Sequence, residues 1–83
     1  MINQLVTNTI LKVIDRSGGR AIPEKLILDY VNINLDNVVT RDEFADQLRF
    51  AQERGWVDYR VNEYKEKRWY LTDAGQVQID KNR

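Results

Sequence analysis

The sequence predicts a small α+β domain in which three helices precede a β-hairpin and a short closing helix, and three observations carry that prediction. Apolar residues recur at helical spacing in three segments before residue 55. Beyond it, Val57, Tyr59 and Val61 alternate with Asp58, Arg60 and Asn62, the period of a strand with one face buried. Between these regions, Thr40-Arg41-Asp42-Glu43 reads as a capping box and Gly55 as a C-terminal stop, so the third helix is bracketed at both ends. At 83 residues the chain makes one domain, residues 1–83, burying roughly 60% of its unfolded surface.

The first helix is expected over about residues 3–16, from Ile2, Leu5, Val6, Ile10, Val13 and Ile14, and Ser17-Gly18-Gly19 ends it. With Leu11 and Ile14 included, its apolar surface spreads past half the circumference, more than one neighbour can cover. Two readings stay open. Either the C-terminal helix packs on its far side, or helix 1 and that helix together form a homodimer interface.

Arg20-Ala21-Ile22 reads as a short strand and Pro23 as the first residue of a second helix, whose buried side would be Leu26, Ile27, Tyr30 and Val31. Residues 32–37, rich in asparagine, read as a turn. In the third helix Phe44, Leu48 and Ala51 face the core, Arg41 and Gln52 lie near the buried edge, and Gln47 and Arg54 on the other flank. Residues 68–71 pair with the strand that starts at Val57, and Glu63-Tyr64-Lys65-Glu66-Lys67, lacking glycine, predicts a loop of four or five residues rather than a two-residue turn. Thr72 caps a last helix carrying Val77 and Ile79, and Lys81-Asn82-Arg83 fray.

Composition removes whole classes of chemistry. Without His or Cys, the commonest general base, thiol nucleophile and zinc ligands are missing, and the sole serine, Ser17, sits in a turn. No phosphate loop or calcium loop is present, so neither an enzyme nor a cofactor or metal is expected. Asp42 and Asp46, four apart on one helix face, read as solvated surface. No apolar run reaches the roughly 20 residues of a membrane span, and Met1-Ile2-Asn3-Gln4 does not open a secretory signal. A cytoplasmic protein without membrane partners is expected. Thirteen basic residues balance thirteen acids, so any attraction to a polyanion must be local.

Leu48-Arg49-Phe50-Ala51-Gln52-Glu53-Arg54-Gly55-Trp56-Val57 resembles the end of the recognition helix and the start of the wing in bacterial regulators of the MarR and PadR kind. Trp69-Tyr70-Leu71-Thr72-Asp73-Ala74-Gly75 is similar to the strand and turn that close the wing in the same families. The spacing from Val39-Thr40-Arg41-Asp42 to Gly55, with the small size, also resembles, less specifically, winged-helix proteins of Mu-like bacteriophages. These motifs span about half the chain. The resemblance implies a winged helix with a three-helix helix-turn-helix core, a two- or three-stranded wing and a short last helix. It implies a transcriptional regulator or phage accessory factor that binds double-stranded DNA. Two positions depart from the pattern: Ala51 stands where those families carry a large aliphatic residue, and Trp56 where they carry Leu. An exchange of volume between them is expected, making Trp56→Ala a loss on the order of 3 to 5 kcal/mol.

Asp42, Asp46, Arg49 and Glu53 fall opposite the core side of the third helix, the face that would enter a major groove, and three of the four are acids. The hairpin adds Arg60, Lys65, Lys67 and Arg68 against Asp58, Glu63 and Glu66. DNA contacts are therefore expected from Arg41, Arg49, Lys65, Lys67 and Arg68, biased to the wing. A solvated hairpin held by cross-strand ion pairs is the competing reading of that segment. The alternative function is a protein-interaction module in which Asp42, Asp46, Phe50 and Glu53 dock on a partner. Both functions stay open at this stage.

Overall fold

Helix α1 (Gln4–Asp15) is the axis of the fold because its apolar surface is too wide for one neighbour. It packs on four other elements: α2 (Glu24–Leu35), α3 (Arg41–Glu53), strand β3 (Lys67–Leu71) and α4 (Asp73–Lys81). Between them Val6, Ile10, Leu11, Val13 and Ile14 are buried. The computed structural model describes residues 3–36 and 39–81, so the expectations for Met1, Ile2, Asn37, Asn82 and Arg83 lie outside the described residues. A three-stranded antiparallel sheet, ordered β1-β3-β2, combines the two-residue β1 (Ile22–Pro23), β2 (Val57–Val61) and β3.

The C-terminal helix packs on α1, as one of the two readings of its wide apolar surface expects. The large apolar side chains that α1 and α4 leave exposed are Leu5, at 64%, and Val77, at 51%.

One polar knot lies inside the helical layer. Gln47, expected on a flank of the third helix, is buried, and its Oε1 accepts from the Asn3 backbone N–H at 3.0 Å and lies 2.9 Å from Thr7 Oγ1. Asn3 also caps α1 by accepting from Val6 N–H, and its Nδ2 donates to Glu43 Oε1 at 2.9 Å. Thr40 Oγ1 accepts from Glu43 N–H as the capping box requires, while the Glu43 carboxylate is the one tied to Asn3. A residue that is peripheral by angle alone is therefore a link between the first and third helices.

Three expectations on α2 are corrected. Pro23 does not open the helix; with ψ near 150° it is extended, pairs with Arg68 on the edge strand and serves as the N-cap, a place where its missing N–H costs no ladder bond. The helix does not stop at Asn32 but runs to Leu35 and ends on Asp36 in left-handed geometry; Asn32 Oδ1 instead accepts from Val39 N–H at 2.6 Å and ties down the connection. Its buried side is Ile27 and Val31, with Leu28 and Leu35 packed against the core, whereas Leu26 and Tyr30 face outward. The apolar pattern wraps this helix so broadly that sequence angles do not reveal which part is covered.

The sheet follows the expected alternation except at its far end, where Val61 is exposed. Its inner end is locked to α4. Gly55 takes a left-handed φ of 78°, Trp56 N–H donates to the Ala51 carbonyl, and the Trp56 carbonyl accepts from Thr72 N–H at 3.0 Å. Thr72 Oγ1 donates to the Gly55 carbonyl and accepts from Gly75 N–H, capping α4. The Trp56 indole is half-buried and meets the Phe50 ring edge-on at 5.8 Å. It packs against the core rather than inside it, so the loss expected for Trp56→Ala falls to about 2 kcal/mol.

A Cβ at Gly75 would lie 2.1 Å from the Trp56 carbonyl oxygen and 2.7 Å from Leu71 Cδ1. Backbone cannot yield there cheaply, so Gly75→Ala should cost about 3 kcal/mol or more and lower the Tm by roughly 10–20 °C. Thermal unfolding followed by circular dichroism measures it, and a Tm within a few degrees of wild type contradicts this packing. Gln47→Leu tests the polar knot. Leaving the Asn3 amide without its acceptor, while the Thr7 hydroxyl keeps the Asn3 carbonyl at 3.0 Å, should cost about 2 kcal/mol in urea unfolding.

Candidate nucleic-acid interface

The wing-side loop is built by one asparagine. Asn62 Oδ1 accepts from the N–H groups of Tyr64 and Glu66, both at 2.9 Å, Asn62 N–H donates to the Glu66 carbonyl, and Lys65 N–H donates to the Asn62 carbonyl. This closes a five-residue connection, 62–66, as expected from its lack of glycine, with Lys65 itself taking the left-handed conformation at φ 62°. The loop carries Lys65 and Glu66 back over the start of α2 and α3.

There the side chains of Lys25, Arg41, Lys65 and Lys67 line a single open groove, together with Glu24, Leu28, Phe44, Ala45 and Glu66. Three of the five cations expected to contact DNA, Arg41, Lys65 and Lys67, are therefore brought together. Of its two acids, Glu24 is engaged by Trp69 Nε1–H, which donates to Glu24 Oε1 at 2.9 Å. Lys67 lies with its ammonium 4.8 Å from the centre of the Tyr59 ring, which holds it over the inner face of the sheet.

Arg49 and Arg68 stand apart from this groove. Arg49 is exposed on α3 eight residues beyond Arg41, about 12 Å along the axis. Arg68 sits on the opposite face of the sheet from Lys67, directly across from Arg60, whose guanidinium lies 5.1 Å from the Tyr70 ring centre. Cross-strand partners are Asp58 with Tyr70, Arg60 with Arg68 and Val61 with Lys67, so the register opposes no acid to a base. Directly across the hairpin stand a like-charge pair and, beside it, two cation–ring contacts.

Solved structures share this fold. The chain is similar to a MarR-family transcriptional regulator from Silicibacter pomeroyi (20% identity, TM-score 0.77, 94% of this chain and 48% of that one). It is similar to RosR of H. salinarum (16% identity, TM-score 0.80, 98% and 70%). It is also similar to MepR, a transcription regulator of a Staphylococcus aureus multidrug efflux pump (15% identity, TM-score 0.62, 96% and 54%). The fold is a winged helix. The chain spans about half the length of the MarR-family protein, and no family model and no curated protein matches its sequence.

α3 lies where a winged helix has its recognition helix, and β2–β3 where it has its wing. At 100° per residue, Arg41, Gln52, Ala45 and Arg49 fill an arc of about 80° that begins at the wing, and Asp42, Glu53 and Asp46 fill the next 40° or so. All except the half-buried Gln52 are exposed. The acids found by sequence are real, but they lie beyond the wing-side arc, which contains no acid. Phe50, offered as a partner contact, is half-buried between the edge-on Trp56 ring and the Arg54 guanidinium, 5.3 Å from its centroid. Among the described residues no three acids, histidines or cysteines converge on a possible metal, and no helix is long and apolar enough to cross a membrane.

Lys25 was missed by sequence. Its only local signal is an exposed cation in the first turn of a helix, which is commonplace; proximity to the wing arises from the β1–β3 pairing that brings Pro23 beside Arg68. Lys65 offers a clean probe of the groove. Lys65→Gly relieves a left-handed side chain and should leave thermal stability unchanged or raise it by up to about 1 kcal/mol while removing one groove cation. A Tm drop of several degrees would show that the loop depends on the lysine itself.

Proposed function

We propose that this chain is a DNA-binding domain of a transcriptional regulator, acting in the cytoplasm, with its strongest phosphate contacts made by the wing-side groove. The observation that carries this reading is the convergence of Lys25, Arg41, Lys65 and Lys67, from three regions of the chain, beside the acid-free arc of the recognition helix. Arg49, at the far end of that arc, is suited to a guanine edge. The acids Asp42, Asp46 and Glu53 then lie on the flank away from the wing. Arg68 with Arg60 would meet a second strand of phosphates from the outer face of the wing. The similar solved structures named as transcription regulators support the same function. Self-association through Leu5 and Val77 remains the reading of a dimer.

A second reading is favoured by the unbroken acidic flank itself, Asp42, Asp46 and Glu53, which could dock a basic protein surface.

Titration of a fluorescent duplex at several salt concentrations tests the proposal. Affinity should fall steeply with salt, at a slope of roughly 0.9 per phosphate neutralised. Lys25→Ala and Arg41→Ala should each lower that slope by about 1, and Arg49→Ala should alter preference among sequences. Absence of duplex binding at low salt moves the assignment to the acidic flank.

A further inference from the structure

We infer that the outward face of α2 is a docking groove for an acidic amphipathic helix of a partner protein. Leu26, Tyr30 and Ile33 fall at spacing i, i+4, i+7 along α2 and are 39%, 46% and 72% exposed, a second apolar stripe on a helix whose first stripe already fills the core. Leu26 and Tyr30 join Val13 and Ile22 in the walls of a groove whose rim carries Arg16 and Arg20, and among the described residues no acid lines it.

The rim is organised. Arg16 Nη1–H donates to Asn34 Oδ1 at 3.2 Å and Asn34 Nδ2–H to the Tyr30 carbonyl, holding the guanidinium along the stripe with further N–H groups to offer. Ser17 Oγ lies 2.6 Å from the carbonyl oxygens of both Ile14 and Arg20 and has one hydrogen to donate to either, in the turn between the two arginines.

This chemistry selects the occupant. Apolar walls with Arg16 and Arg20 on the Asn34 side, and the exposed Asp29 on the opposite side beside Ile33, complement a segment that is apolar along one line and carboxylate-bearing on the arginine side. A strand is disfavoured because the adjacent sheet edge is the two-residue β1 with Pro23, which has no N–H to give. A helix laying its own i, i+4, i+7 ridge along the stripe meets the geometry of α2. On α2 the stripe lies about 160° around from Glu24 and Leu28 and about 100° from Lys25, the residues of this helix that line the wing-side groove. Both can be occupied at once, so a DNA-bound domain would still present this face.

The test uses the full chain and two synthetic amphipathic helices of roughly four turns, one flanked by glutamates and the other by lysines. NMR titration should move the amide signals of Leu26, Tyr30 and Ile33 with the glutamate peptide and not with the lysine peptide. Arg16→Glu with Arg20→Glu should weaken that binding at least tenfold, and Tyr30→Lys, at an exposed site, should do the same with the Tm unchanged. Equal binding of both peptides, shifts confined to Lys25, Arg41, Lys65 and Lys67, or dimerisation through the stripe without peptide would each overturn the inference. Duplex binding is read on other residues, so its failure and the failure of this docking are separate results.

Discussion

Everything on the wing side depends on the junction at Thr72. One residue joins the end of α3 to the start of α4 through its backbone N–H on the Trp56 carbonyl and its hydroxyl between the Gly55 carbonyl and Gly75 N–H. Because β2 begins one residue after Trp56 and β3 ends one before Thr72, the same bonds close the base of the hairpin. The angle of the wing over the recognition helix is therefore set where four elements meet, and only Gly75 lets them approach closely enough. The tip, by contrast, depends on Asn62 alone for its shape.

Elements whose ends are chemically marked were legible in the sequence. Thr40, Gly55 and Thr72 state their roles locally, through a hydroxyl or a missing side chain, and the structure uses them as read. The wide surface of α1 likewise announced multiple neighbours. The errors lie where an apolar pattern has two faces or a polar residue has a distant partner. Leu26 and Tyr30 look as core-like as Ile27 and Val31, and Gln47 looks solvated until Asn3 and Thr7 are placed against it. Neither fact is local, so neither could be read from spacing.

The candidate interface was half legible for the same reason. Individual cations could be named, but the grouping required knowing that β1 pairs with β3 and that the tip loop folds back over the helix starts. The acid-rich face of the third helix is a case where counting residues misled: the charges are present, yet they divide into a neutral-to-basic arc beside the wing and an acidic arc away from it. A helix can present opposite signs to two partners when rotation about its axis decides which one is met.

Arg60 and Arg68 stand directly across from each other on the outer face of the wing. Like charges so placed repel, and the free protein carries that cost whether or not a ligand is near. An anion bound between them would relieve it, so part of its apparent affinity would come from cancelling a repulsion already present in the sheet. Folding and anion binding are then linked at this one pair, and phosphate-rich solution would stabilise the sheet itself.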